Sequence, residues 1–111
     1  AGLKLQAAGR EEDLVAAAPI LCARSADAWG RLCESRFPKV RDAAATAAGE
    51  SGGAAHLPKL ADLCADPDAN VRLAAIIAFR RIRPEAEKIA YDHRAPSPEA
   101  LAALKRLSNP E

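Results

Sequence analysis

The segment LPKLADLCADPDANVRLAAIIA, residues 57–78, contains the pattern that decides the fold. Its first part places four apolar residues at the spacing of one helix face, namely Leu57, Leu60, Ala61 and Cys64. The stretch Asp66–Asp68 interrupts this pattern, because Pro67 disfavours a helical residue before it and aspartate favours turns and helix N-caps. A second helix is expected to begin at about Asn70. The segment therefore predicts a helix–turn–helix unit.

The second helix of this unit is apolar on almost every side until Arg80. One stripe follows the helical period and consists of Val71, Ala74, Ala75, Ala78 and Ile82. Leu73, Ile76 and Ile77 occupy the neighbouring faces. A helix that is apolar all round is covered on several sides. We therefore expect this helix to form the centre of the core.

The same pattern occurs once earlier in the chain, so that residues 25–52 align with residues 56–83. The aligned copies share residues in the pairs Leu32/Leu63, Cys33/Cys64, Val40/Val71, Arg41/Arg72, Ala43/Ala74, Ala44/Ala75 and Ala47/Ala78. In the earlier copy, Ser35–Pro38 replaces the acidic turn. A fixed period of about 20–50 residues is typical of stacked repeat proteins, which commonly form extended binding surfaces.

The segments outside the two copies predict helices that cap the stack. Residues 11–23 predict a flanking helix with a kink or break at Pro19, and residues 85–91 predict a short one. Residues 97–107 predict a last helix, with Ser97 as its N-cap and proline at the first position. Within the earlier copy, Gly49 and Gly52-Gly53 are expected to end the helix in the left-handed conformation.

Composition and charge exclude several classes of protein. Half of the 111 residues are hydrophobic, with alanine prominent, and the formal charge of +1 gives no strong steering toward nucleic acid or anionic lipid. No apolar run approaches the length of a membrane-spanning helix, so no membrane span is predicted. The three cysteines form an odd set without a close pair, which favours buried free thiols in a reducing, cytoplasmic compartment. The lack of methionine, even at position 1, indicates a processed or excised chain.

The pattern Leu-x-x-Leu-x-x-Leu-Cys-x-Asp-Pro-Asp-x-x-Val-Arg-x-x-Ala-x-x-Ala resembles a HEAT repeat, and the resemblance covers residues 25–83. It implies an all-α fold, a short right-handed α-solenoid with capping helices. Residues 1–111 would be a single domain or a fragment of a longer array. It also implies a ladder of acidic and basic side chains through the turns, carried here by Asp66, Asp68, Arg72 and Arg41. Independently, Arg72 is rotated about 100° from Val71 around the helix and can bond an acidic turn residue.

The sequence predicts no catalytic, cofactor or metal site. Gly49–Gly53 matches the G-x-S-x-G serine motif, but that chemistry needs a strand-to-helix turn and a histidine base, whereas an alanine-rich helix precedes it. His56 and His93 lack the spacing of a zinc site. The HEAT-like deoxyhypusine hydroxylases would require His-Glu pairs as iron ligands, and Leu57 and Arg94 follow the two histidines instead.

Two basic clusters are the candidate partner-binding residues, namely Arg80, Arg81, Arg83 and Lys88 in one and Arg36, Phe37 and Lys39 in the other. We predict a non-catalytic protein-interaction or scaffold module whose protein or peptide partner is acidic. Nucleic-acid binding through the same arginines is a lesser alternative. An enzyme-accessory role, as the resemblance to HEAT-like bilin lyases implies, is another. The structural alternatives are a solvated helix end and a packed Phe37.

Overall fold

Six α-helices and two short 3-10 segments make up the computed structural model, which describes residues 10–109. No strand occurs within those residues, so the all-α prediction is confirmed. The helices are α1 (Glu11–Arg24), α2 (Ala26–Leu32), α3 (Pro38–Ser51), α4 (Leu57–Leu63), α5 (Ala69–Ile82) and α6 (Pro98–Ser108). The 3-10 segments are Ala54–His56 and Pro84–Lys88.

The helices are arranged in two layers. The three longest helices, α1, α3 and α5, lie side by side, with α3 packed against both of the others. The shorter helices form the second layer, in which α2 packs on α1 and α3, and α4 packs on α5 and α6. The resulting slab measures 46 × 26 × 18 Å. This arrangement fits a short stack of helical pairs.

The burial pattern repeats with the same offset as the sequence. The pairs Leu32/Leu63, Cys33/Cys64, Val40/Val71, Ala44/Ala75 and Ala47/Ala78 are all buried. Equivalent positions with different residues are also buried in both copies, as the pairs Trp29/Leu60 and Ala48/Phe79 show. The period of the sequence is therefore a period of core positions.

Turn chemistry explains where the last helix begins. Ser97 accepts a hydrogen bond at its hydroxyl from the Ala100 amide at 3.1 Å, and Pro98 occupies the first turn, where its missing N–H has no cost. Leu104 is fully buried, and the Lys105 ammonium lies 3.1 Å from the Asp62 carboxylate of α4. These contacts fix α6 against α4.

The structure differs from two predictions about the flanking segments, namely the break at Pro19 and the bounds of the short helix at residues 85–91. Helix α1 runs through Pro19 to Arg24 without a break. Because Pro19 lies on the exposed side, the carbonyl that loses its helical partner can be hydrated. The predicted helix at residues 85–91 is the 3-10 segment Pro84–Lys88, after which the Tyr91 hydroxyl donates to the Cys64 carbonyl at 2.7 Å.

The glycines of the earlier copy provide space between close chain segments. No glycine in residues 10–109 has positive φ, and α3 continues to Ser51, so the predicted left-handed end at Gly49 is wrong. A Cβ on Gly49 would lie 3.0 Å from the Cα and the Cβ of Ala78. A Cβ on Gly52 would lie 2.6 Å from the Ala48 carbonyl oxygen. Gly49 therefore allows α3 and α5 to approach closely.

Two glycine-to-alanine changes should shift stability in opposite directions. Gly49→Ala is expected to lower the free energy of unfolding by about 1–3 kcal/mol, because the methyl group forces α3 away from Ala78. Gly30→Ala in α2 meets only the flexible end of Lys59 at 3.5 Å, so it should raise that free energy by up to about 1 kcal/mol. Urea unfolding followed by circular dichroism measures both, and stabilisation by Gly49→Ala would contradict the close approach.

The three cysteines are free and buried. Burial raises the pKa of Cys33 and of Cys64 to about 12. A thiol with so high a pKa carries almost no thiolate at neutral pH and is a poor nucleophile. Their role in the fold is that of small apolar side chains.

Candidate partner-binding surface

The turns between the layers are joined by Arg41 of α3. Its Nε donates to Asp66 Oδ2 at 2.7 Å and its Nη2 donates to Asp66 Oδ1 at 3.1 Å. Its Nη1 donates to the Ser35 carbonyl at 2.7 Å. Asp66 is only 8% exposed. One guanidinium thus connects the turn of the earlier copy with the turn of the later one.

Arg72 occupies the equivalent place in the later copy and uses different acceptors. Its Nη1 donates to the Asp66 carbonyl, the counterpart of the Ser35 carbonyl, and its Nε donates to the carbonyl of His93. Asp68 Oδ1 accepts from the amides of Asn70 and Val71 at 2.8 and 3.2 Å and so caps α5. Arg41 therefore pairs with a carboxylate, that of Asp66. The bonds of Arg72 described here go to backbone carbonyls instead.

The first candidate cluster lies where α3 begins. The guanidinium carbon of Arg36 stands 4.9 Å from the centroid of the Phe37 ring. Phe37 is half-buried and packs against the core, whereas Arg36 and Lys39 are exposed. The two cations are therefore more open to a partner at this edge than the Phe37 ring is.

The second candidate cluster divides into bonded and exposed cations. Arg80 donates to the carbonyls of Ala86 and Ile89 at 3.4 and 3.1 Å, which holds the 3-10 segment against α5. Arg83 is half-buried, while Arg81 and Lys88 are exposed. Lys39 and Arg81 lie at opposite ends of the long-helix layer, roughly 17 Å apart along the helix axis. The two clusters are therefore separated by most of the length of this layer.

A groove of about 370 Å³ runs between α3 and α5. Its wall on α5 carries Leu73 and Ile77, which are 39% and 48% exposed. We expected α5 to be covered on several sides, and this face of the helix is not fully covered by the described residues. The wall on α3 is polar and presents Asp42, Thr46 and Glu50, and small residues lie between the two walls, including Gly49 and Ala78. We call this feature the α3–α5 groove.

The two ends of the α3–α5 groove differ in charge. Partial burial raises the pKa of Asp42, the Thr46 hydroxyl 3.4 Å away lowers it, and the negative charge of Asp68 raises it further. In the described part of the chain, Asp42 forms no ion pair. Glu11 and Lys39 line the adjoining depression. At the far end, Glu50 and Arg81 supply one charge of each sign.

The G-x-S-x-G motif and the histidine near it have structural partners. Ser51 Oγ donates to the Ala47 carbonyl at 3.3 Å. His56 Nδ1 accepts from the Gly53 amide at 3.1 Å, and its Nε2 lies 3.3 Å from the Cys22 carbonyl. In residues 10–109, no group of three His, Cys, Asp or Glu side chains could hold a metal ion.

Comparison with known families agrees with this repeat geometry. The family model for HEAT repeats matches residues 26–111, which is more than half of the chain. The chain belongs to the HEAT-repeat family. HEAT repeats commonly serve as scaffolds for protein interactions and are generally non-catalytic. No significant match was found among curated proteins or among solved structures.

A signal in the HEAT period could have revealed the groove. Shifting Leu73, Ile77 and Arg81 back by one repeat gives Asp42, Thr46 and Glu50. All three residues of the earlier copy are polar, which marks a stripe that faces solvent.

None of the described helices is both long and apolar enough to cross a membrane.

Proposed function

We propose that this HEAT-repeat chain is a non-catalytic protein-binding module that takes a protein or peptide partner in the α3–α5 groove. The observation that carries the proposal is the exposure of Leu73 and Ile77 beside each other on a fold whose other large apolar side chains are mostly packed. Apolar groups at a surface, rimmed by polar ones, are typical of interaction sites.

The predicted acidic partner has two candidate contacts in this proposal. Arg81 lines one end of the α3–α5 groove, and Lys88 is exposed beyond the end of α5. Arg80 is excluded from this role because its guanidinium is bonded to two backbone carbonyls. Nucleic-acid binding would draw on the same two exposed cations, and that small number favours a protein partner. We also propose a reducing, cytoplasmic location, which the three free thiols support.

Site-specific photocrosslinking of the full chain tests the proposal. A photoreactive residue at Thr46, inside the α3–α5 groove, is compared with one at Ala102, an exposed position on α6. In an extract of the producing cells, the Thr46 probe should crosslink one protein that the Ala102 probe does not. Unlabelled chain should compete for it, and Ile77→Ser should abolish it. Equal crosslinking from both positions, or salt-dependent crosslinking to RNA or DNA, would overturn the proposal.

A further inference from the structure

We infer that the α3–α5 groove accepts an amphipathic helix that carries two apolar side chains one turn apart and a lysine or arginine directed at Asp42. The inference rests on the proposed function and specifies the chemistry of the partner. The cation lies at the Asp42 end of the groove, away from Arg81 and Lys88, which remain the candidate contacts for acidic groups of the same partner.

The apolar part of the partner follows from the α5 wall. Leu73 and Ile77 are spaced i, i+4, so their side chains meet on one face with Cβ atoms about 5–6 Å apart. A docked helix presents apolar residues at the same spacing, as amphipathic helices do in hydrophobic grooves. Gly49 and Ala78, between the walls, leave depth for these side chains. The polar α3 wall, from Asp42 to Glu50, is about 12 Å long, which matches roughly two helical turns.

The position of the partner's cation follows from the charges at the groove ends. The depression at the Asp42 end is lined by three carboxylates, those of Glu11, Asp42 and Asp68, and by the single ammonium of Lys39. At the other end, Glu50 and Arg81 balance each other. Asp42 is partly buried and, within residues 10–109, makes no ion pair. A cationic side chain placed there gains a partner carboxylate that is already partly dehydrated.

A second copy of the chain satisfies these charges poorly. Pairing two grooves in the same direction would oppose two acidic ends. Pairing them in opposite directions would place Asp42 of one copy against an end where Glu50 accompanies Arg81. Neither arrangement supplies the net positive charge that the Asp42 end lacks. A foreign helix with a basic residue does.

Synthetic helices of about 16 residues, long enough to hold helical structure in a docked state, serve as probes. Each probe contains two leucines four positions apart, with a lysine one turn before or one turn after them, and each has a matched peptide with glutamate in place of lysine. Binding to the full chain is measured by fluorescence anisotropy at low and at physiological salt. Glu99→Gln, at an exposed site on α6, is the control variant.

The lysine helix whose cation reaches Asp42 should bind about fivefold more tightly than its glutamate counterpart. This is the difference expected for one partly exposed ion pair. Asp42→Asn should remove this preference, and Glu99→Gln should keep it. Ile77→Ser should weaken every probe by about tenfold through lost apolar contact. Asp42 and Ile77 are not fully buried, so both variants should fold. An unchanged thermal unfolding midpoint checks this.

Equal affinity for lysine and glutamate helices, or an unchanged preference in Asp42→Asn, would overturn the inference. So would sedimentation of the chain as a dimer whose assembly Ile77→Ser disrupts. A crosslinked protein that requires Ile77 but contacts the groove through a segment without a basic residue would also overturn it, and would leave the proposed function standing. Loss of the proposed function itself would appear as the absence of any groove-specific crosslink.

Discussion

Replacing Arg41 with methionine is expected to lower the free energy of unfolding by about 3–5 kcal/mol, because it leaves the Asp66 carboxylate buried without its cation. Domains typically have only about 5–15 kcal/mol of stability, so the variant should be close to unfolding. The loss arises from an uncompensated buried charge and a broken connection between the two turns. Urea unfolding followed by circular dichroism measures it.

Two further variants separate the charge from the hydrogen bonds. Arg72→Met removes bonds to two backbone carbonyls but leaves no carboxylate unpaired, so it should cost only about 1–3 kcal/mol. Combining Arg41→Met with Asp66→Asn removes both charges and should recover part of the loss of the single variant. Equal costs for Arg41→Met and Arg72→Met would show that the ion pair contributes nothing beyond its hydrogen bonds.

Replacing Trp29 with alanine should lower the free energy of unfolding by about 3–5 kcal/mol. The indole is 1% exposed, its Nε1 donates to the Ala44 carbonyl of α3 at 2.8 Å, and the His56 ring stands edge-on to it with centroids 4.6 Å apart. The side chain therefore contacts groups from both copies. Its removal leaves a cavity between the layers.

Trp29→Phe is the matched variant, since it keeps much of the apolar volume and removes the bond to Ala44. It should cost about 1–3 kcal/mol, less than the alanine variant. Because Trp29 is the single tryptophan, far-ultraviolet circular dichroism is the appropriate signal. A loss below about 1 kcal/mol for Trp29→Ala would mean that the layers repack around the missing ring.

The repeat period was sufficient to predict the helical pairs and most core positions. The period has this predictive value because repeats place equivalent residues in equivalent surroundings. Val40 and Val71, for example, are both buried. Helix starts were predictable wherever a side chain caps them, as Asp68 and Ser97 do. These features depend on local spacing and local hydrogen bonds, which a sequence displays directly.

Features set by neighbouring helices were not predictable from one helix alone. Leu73 and Ile77 follow the apolar pattern of α5, yet no described element covers them, and only comparison with the polar residues of α3 indicates that they face solvent. Gly49 resembles a helix end in sequence, but its role is set by the approach of Ala78. Arg80 resembles a surface cation, but it is held by carbonyls of a later segment. In each case, the environment of the residue depends on an element other than its own helix.

Chemical-shift mapping of the ¹⁵N-labelled full chain with the tightest lysine helix tests the central claim most directly. The largest changes should cluster at Asp42, Gly49, Leu73 and Ile77, and Ile77→Ser should remove them. Changes confined to Arg36–Lys39, or to Arg81 and Lys88 without changes at Asp42, Gly49, Leu73 and Ile77, would contradict this claim.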